Sequence, residues 1–206
     1  MYPTLGALVV LAALGVVVGR QNRDLLRVKE YRDFAVRLIP ILSTAVFVAG
    51  LPFVVELAEA EQTLPVLLVY LGGAALLTAL MARAVDPDER RAGAAFARED
   101  YERSAILYGK LIESHPLPRY YSALGAALDL NGDGVGALES MGRAIERDPK
   151  LGVAYFNRAS TLAAMGQRET AIDDLRAIFR ADSGRRVRRA AEEALKELNA
   201  DDKPSR

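Results

Sequence analysis

The side chains best spaced for chemistry are Asp129, Asn131, Asp133 and Gly134. Oxygen ligands at loop positions one, three and five, followed by glycine at six, begin a calcium loop of the helix–loop–helix type. That loop needs a bidentate glutamate at its twelfth position, which here is Ser140; Glu139 falls one residue early, where helical geometry points it elsewhere. The motif therefore reads as a turn, because Asn, Asp and Gly supply turn conformations. No metal site is expected. His115, the one histidine, precedes Pro116, and with no cysteine in the chain nothing completes a transition-metal site. No recognisable nucleophile elbow appears, nor a glycine-rich loop ahead of a Lys–Ser or Lys–Thr pair. Asp173 and Asp174 read as part of a solvated helix face without a basic or metal partner. The expectation is a noncatalytic chain with no cofactor.

Binding chemistry is what remains. Arg185, Arg186, Arg188 and Arg189 crowd the first turn of a helical stretch, where positive charge opposes the helix dipole by about 0.3–1 kcal/mol. Acidic lipid headgroups or an acidic protein would offset that, as would internal pairing with Glu192 and Glu193. Nucleic acid is a poor fit, since residues 83–206 carry 21 basic and 21 acidic side chains and are neutral overall.

These groups must be positioned by two unlike halves. The chain has 206 residues, of which 51% are hydrophobic, and three long apolar blocks fall between Thr4 and Ala82. Thr4–Gly19 holds no charge and would rise about 24 Å as a helix, short of a hydrocarbon core unless Tyr2, Pro3 and a snorkelling Arg20 extend it. No basic residue precedes it, so a spanning helix is favoured over a cleaved signal peptide. Leu38–Val55 contains Pro40, Gly50 and Pro52, which predict a kink or early end, whereas Pro65 suits the start of the third block, Leu64–Ala82. The connector 20–37 has six basic residues and the connector 56–63 has none. The positive-inside rule then places the first connector in the cytoplasm, the N-terminus and acidic loop outside, and everything after Arg83 in the cytoplasm. Within the first connector, Leu25, Val28, Tyr31 and Phe34 recur at helical spacing and predict a juxtamembrane helix. The small pairs Gly15/Gly19 and Ala75/Ala79 permit close helix packing, within the chain or between copies as a homo-oligomer.

The second half repeats itself. Pro116, Pro149 and Ser183 recur at spacings of 33 and 34. In the middle unit, Tyr121, Leu124, Gly125 and Leu128 mark a first helix, then Ala137, Met141 and Ala144 a second; Tyr155, Ala159, Leu162, Ala171, Leu175 and Ile178 repeat that order. The first unit shows only Ala92 and Ala95 for its first helix, ahead of Tyr101, Ser104, Tyr108 and Leu111. One helix pair cannot bury both faces, so stacked pairs need a terminal cap, and Arg185–Leu198 supplies one with Val187, Ala191, Ala194, Leu195 and Leu198 on one face.

Tyr121, Leu124, Gly125, Leu128, Ala137, Ala144 and Pro149 resemble the tetratricopeptide repeat (TPR) family. The resemblance covers roughly residues 85–183 and departs from the pattern in the first helix of the first unit and at Ser183. It implies a right-handed superhelix whose concave face, formed by first helices, binds an extended peptide or another protein. A two-carboxylate clamp known in the family wants Lys and Asn where this chain has Glu89 and Gly93, and is therefore absent. Asn157 stands where other members hold a peptide backbone through an asparagine amide, flanked by Phe156 and Ser160. With Ser122 and Ala126 on the preceding unit, these residues form the expected client groove.

The expected architecture is all-α: a three-span transmembrane region over 1–83 (spans about 4–20, 38–55 and 64–82), TPR-like repeats over 85–117, 118–151 and 152–184, a capping helix over 185–198 and a polar tail over 199–206. The expected role is a membrane adaptor, in a bacterial-type cytoplasmic membrane, that recruits a protein or peptide client. A subunit of an integral membrane enzyme or transporter complex is the alternative.

Overall fold

In a computed structural model of the chain, the described residues are 9, 12–13, 15–20, 22–57, 62–82, 87–181 and 183–200. They contain helices and turns and no strand. The chain divides into two units, Met1–Pro87 and Asp88–Arg206.

In the first unit, α1 (Arg23–Arg27) is separated from α2 (Tyr31–Leu57) by a left-handed residue, Lys29, with φ of 63°. The Glu30 N–H closes the break by donating to the Leu25 carbonyl at 2.8 Å. The expected connector helix is therefore interrupted, and its apolar stripe is divided: Leu25 is fully buried while Tyr31 is 61% exposed. Helix α2 runs through Pro40 and Pro52 without ending at Gly50. Ser43 and Thr44 donate to the Pro40 carbonyl (2.9 and 2.8 Å), a back-bonding that bends helices, and Tyr70 donates to the Phe47 carbonyl (2.7 Å). A Cβ at Gly50 would lie 2.6 Å from the Tyr70 hydroxyl, so the glycine that read as a helix breaker is the notch that admits the phenol. Tyr70 belongs to α3 (Thr63–Ala82), and its ring meets Phe47 edge-on with centroids 5.5 Å apart.

By length and composition, two helices among the described residues could cross a membrane, at Tyr31–Leu57 and Thr63–Leu80. Of the third expected span, 4–20, residues 9, 12–13 and 15–20 are described and are helical, and the others lie outside the described residues.

The second unit stacks helix pairs. They are α4 (Pro87–Ala97) with α5 (Tyr101–Ser114), α6 (Pro118–Leu130) with α7 (Gly134–Arg147), and α8 (Gly152–Ala164) with α9 (Arg168–Ala177). The first helix of every pair ends in the same way. Glu99, Gly132 and Gly166 adopt φ of 64°, 89° and 77°, and the next residue donates back to Ala95, Leu128 and Leu162 at 3.0, 2.8 and 2.8 Å. This is the six-to-one bond of a left-handed helix terminus. In the first two pairs that same residue then opens the second helix: Asp100 accepts from the Arg103 N–H and Asp133 from the Gly136 N–H, capping α5 and α7. Ser183, where the repeat pattern has proline, donates to the Ile178 carbonyl at 3.1 Å and occupies the space that a side chain on Gly152 would need.

Packing follows the small residues. Ala92, Ala137, Ala144 and Ala171 are fully buried, and a Cβ on Gly125 would sit 2.6 Å from Met141 Cγ and 3.0 Å from the Ala137 carbonyl. In the weakly marked first pair, Ser104 donates to the Ala92 carbonyl at 3.1 Å and Phe96 meets Tyr101 edge-on. Helix α10 (Arg185–Ala200) lays Val187, Ala191, Ala194, Leu195 and Leu198 against the cluster that contains Leu175 and Ile178.

Candidate protein-binding face

Helices α6 and α8, first members of adjacent pairs, touch directly and form a shared face. The expected groove residues are not equivalent on it. Ser160 is exposed, Ala126, Phe156 and Asn157 are half-buried, and Ser122 is only 3% exposed. Phe156 also packs against the core of the third pair, beside Tyr155 and the capping helix. The Asn157 carbonyl accepts from the Thr161 hydroxyl at 3.2 Å, while its side-chain amide makes no hydrogen bond among the described residues. That amide's donors and acceptor are unused among the described residues.

The pair beneath this face is locked by charge. Arg158 on α8 donates through Nε and Nη2 to both Asp174 carboxylate oxygens on α9, each at 2.7 Å, and its guanidinium lies 5.9 Å from the Tyr155 ring centroid. Asp174 is 5% exposed, so it does not belong to a solvated face; its partner stands sixteen residues earlier, a separation between paired helices that no single-helix spacing reveals. Asp173 is exposed and pairs with Arg176 at 3.5 Å.

The face changes character toward the first pair. Tyr120 donates to Glu89 at 2.8 Å, and the Tyr108 ring lies 6.3 Å from that of Tyr120. Burial, then the negative charge of Glu89, raises the Tyr108 hydroxyl above its usual pKa. Gly93 leaves space beside that hydroxyl. Lys110, then Arg91, holds the neighbouring Asp88 carboxyl below its usual range through hydrogen bonds at 3.2 and 3.0 Å.

Asp133 in the calcium-like motif uses its carboxylate to cap α7, accepting from Gly136 at 2.9 Å. At the far end, Arg185, Arg186, Arg188 and Arg189 are all exposed. Arg189 pairs with Glu193 at 3.1 Å, and the other three have no acidic partner among the described residues.

No family model and no curated protein matches the sequence. Solved structures do match. The TPR2B domain of yeast Sti1, in a pHsp70 complex, is 22% identical with a TM-score of 0.52, over 55% of this chain and 94% of that one. The first TPR of Spaghetti (RPAP3), bound to the Hsp90 peptide SRMEEVD, is 16% identical with a TM-score of 0.51, over 55% and 89%. The repeat half has a TPR-like fold. The TPR2AB domain of yeast Sti1 in a pHSP90 complex is 21% identical with a TM-score of 0.52, over 95% of this chain and 79% of that one. Within the TPR-like register, Glu99 aligns with Gly132 and Gly166, which was the available signal for its left-handed conformation. The Tyr120–Glu89 bond, across 31 residues, had no such signal.

Proposed function

We propose that the chain is a membrane-anchored, noncatalytic adaptor whose first-helix face holds an extended segment of a client protein. The observation that carries this reading is the Asn157 amide, half-buried on the face shared by α6 and α8 and without a hydrogen bond among the described residues. Ser160 and Ala126 beside it are small enough to let a peptide backbone approach, and Phe156 offers part of an aromatic ring. Ser122 contributes to the floor rather than to a contact, being buried. The neighbours solved with pHsp70, pHSP90 or SRMEEVD support protein binding by a domain of this fold. Their kind of acidic ligand does not suit this one, because Glu89 and Gly93 replace the basic and amide groups of a carboxylate clamp and Glu89 would repel a carboxylate. The client is therefore a neutral or basic segment.

The membrane part of the proposal has three spans, the N-terminus outside and the repeat half cytoplasmic, in a bacterial-type inner membrane. It rests on two long apolar helices, the uncharged first block and the basic first connector. One observation favours the alternative role as a subunit of an integral membrane complex. Helices α2 and α3 enclose an apolar groove of about 440 Å³, lined by Phe47, Leu51, Tyr70, Ala75, Thr78 and Ala79 among others, which would suit a helix of another membrane protein.

Affinity capture from native membranes tests both. Asn157→Ala should weaken client capture about fivefold, equivalent to about 1 kcal/mol for one net hydrogen bond. Ala126→Arg should block capture sterically while thermal unfolding stays unchanged. Wild-type capture by both folded variants would remove the site from this face, and recovery of an integral partner alone would favour the subunit role.

A further inference from the structure

The corner between α9 and α10 carries a basic surface that the client face does not use. Arg180 is exposed in the turn after α9, Phe179 is 39% exposed beside it, and Arg185, Arg186, Arg188 and Arg189 follow in the first two turns of α10. At about 100° per residue, these four arginines spread over an arc of about 160°. Val187, Ala191, Ala194, Leu195 and Leu198 fall on the opposite side of the helix, where they pack against the repeat core. The apolar stripe thus fixes α10 so that the guanidinium groups face outward. One surface pair, Arg189–Glu193, is the internal compensation found among the described residues. No acidic residue occupies the first turn.

We propose that this corner docks on a bilayer surface of anionic phospholipid. The arc is broad and convex, and the groups on it are flexible cations beside an exposed aromatic ring. That chemistry matches a plane of phosphate headgroups, in which guanidinium groups pair with phosphate and an aromatic side chain sits at the interface. A peptide ligand would call for a concave site. The same chain carries two helices suited to crossing a membrane, so tethering raises the local concentration of headgroups around the corner. This inference rests on the membrane-anchored reading above. Docking would hold the capping end of the solenoid at the membrane and limit the orientations in which the client face is presented.

The absence of native cysteine permits a clean test on the full chain in nanodiscs. Gly184→Cys, beside the cluster, and Asn131→Cys, at a remote turn, each carry a donor dye, and the lipid headgroups carry an acceptor. Energy transfer from position 184 should rise when phosphatidylglycerol replaces part of the phosphatidylcholine, and fall again at high salt. Each arginine near an anionic surface favours the docked state about fivefold, so changing all four to Gln should lower the docked-to-free ratio on the order of several hundredfold. Changing all four to Lys should retain docking. Circular dichroism confirms that the variants keep their helices. Transfer that ignores lipid charge, or that survives the four Arg→Gln changes, overturns the proposal. Failure of the chain to elute with nanodiscs counts against the anchor instead; the same protein must then float with anionic but not with neutral vesicles if the docking proposal is to stand.

Discussion

Adding one methyl group at two helical glycines should move stability in opposite directions. At Gly125 on α6 the new Cβ would stand 2.6 Å from Met141 Cγ, 3.1 Å from Met141 Cε and 3.0 Å from the Ala137 carbonyl oxygen. Non-bonded heavy atoms prefer about 3.5–4.0 Å. The methionine can turn aside, but the backbone oxygen moves only with α7, so Gly125→Ala must push the paired helices apart. Overpacking of this kind costs about 1–3 kcal/mol, and the better helix propensity of alanine returns about 0.5–1 kcal/mol, leaving a net loss of up to about 2.5 kcal/mol. At Gly109, inside α5, nothing lies within 4 Å of the added Cβ. Gly109→Ala therefore keeps the propensity gain, about 0.5–1 kcal/mol. For a unit of this size 1 kcal/mol moves the midpoint by about 3–5 °C, a resolvable difference in sign. The assay is thermal unfolding of the full chain in mild detergent, followed in the tyrosine near-ultraviolet signal. Tyr101, Tyr108, Tyr120, Tyr121 and Tyr155 dominate that signal, because the chain has eight tyrosines and no tryptophan. Shifts of equal sign and size for both variants would refute the claim that Gly125 sets the approach of α6 to α7.

Glu99→Gly should stabilise the repeat half by about 1 kcal/mol, because Glu99 holds a left-handed conformation that glycine adopts freely; a lower midpoint would show that its side chain makes an overriding contribution. Arg158→Met should cost about 2–4 kcal/mol by leaving the buried Asp174 carboxylate without its guanidinium, and Asp174→Leu in the same chain should restore much of that in urea unfolding. Single cysteines at Glu30, Gln62 and Asn199, all exposed, should label as cytoplasmic, external and cytoplasmic with impermeant reagents, and external labelling at position 199 contradicts the topology. Asn22 is a poor labelling position because it is buried and bonded to the Val18 carbonyl. Calorimetry should detect no stoichiometric calcium binding across the sensor range of about 10⁻⁷ to 10⁻⁵ M, since Asp133 caps α7 and Ser140 stands where a bidentate ligand is needed.

Features set by short-range spacing were the ones legible in the sequence. The alternation of small and large residues that marks Gly125, Ala137 and Ala144 is a property of helices packed within one unit, and a fixed period copies it along the chain. The same period carried the turn geometry through Gly132 and Gly166, although Glu99 concealed it in the first unit because a charged side chain gives no sign of positive φ. Contacts between helices were illegible for a different reason. Asp174 looks solvated when read along α9, and only the placement of Arg158 on the partner helix explains its burial. Gly50 and Pro52 read as an end because helix propensity says nothing of the neighbouring helix, whose Tyr70 hydroxyl occupies the space beside Gly50. On the client face, periodicity identifies which helices contribute but not how deeply each side chain lies; Ser122 and Phe156 occupy equivalent positions and differ from buried to half-buried, as Ala126 and Ser160 differ from half-buried to exposed.

Helix α10 also imposes an order on synthesis. A ribosome makes the chain from its N-terminus at about 5–20 residues per second, so the apolar helices and then the repeat pairs emerge before the cap. Leu175 and Ile178 lie at the end that α10 covers, and until Ala191 and Leu195 arrive that end has no apolar surface to meet. The nascent solenoid therefore carries an adhesive terminus until α10 has emerged and docked. A premature stop before Arg185 would make that interval permanent, leaving a chain that retains its client face yet is prone to stacking end to end with other copies.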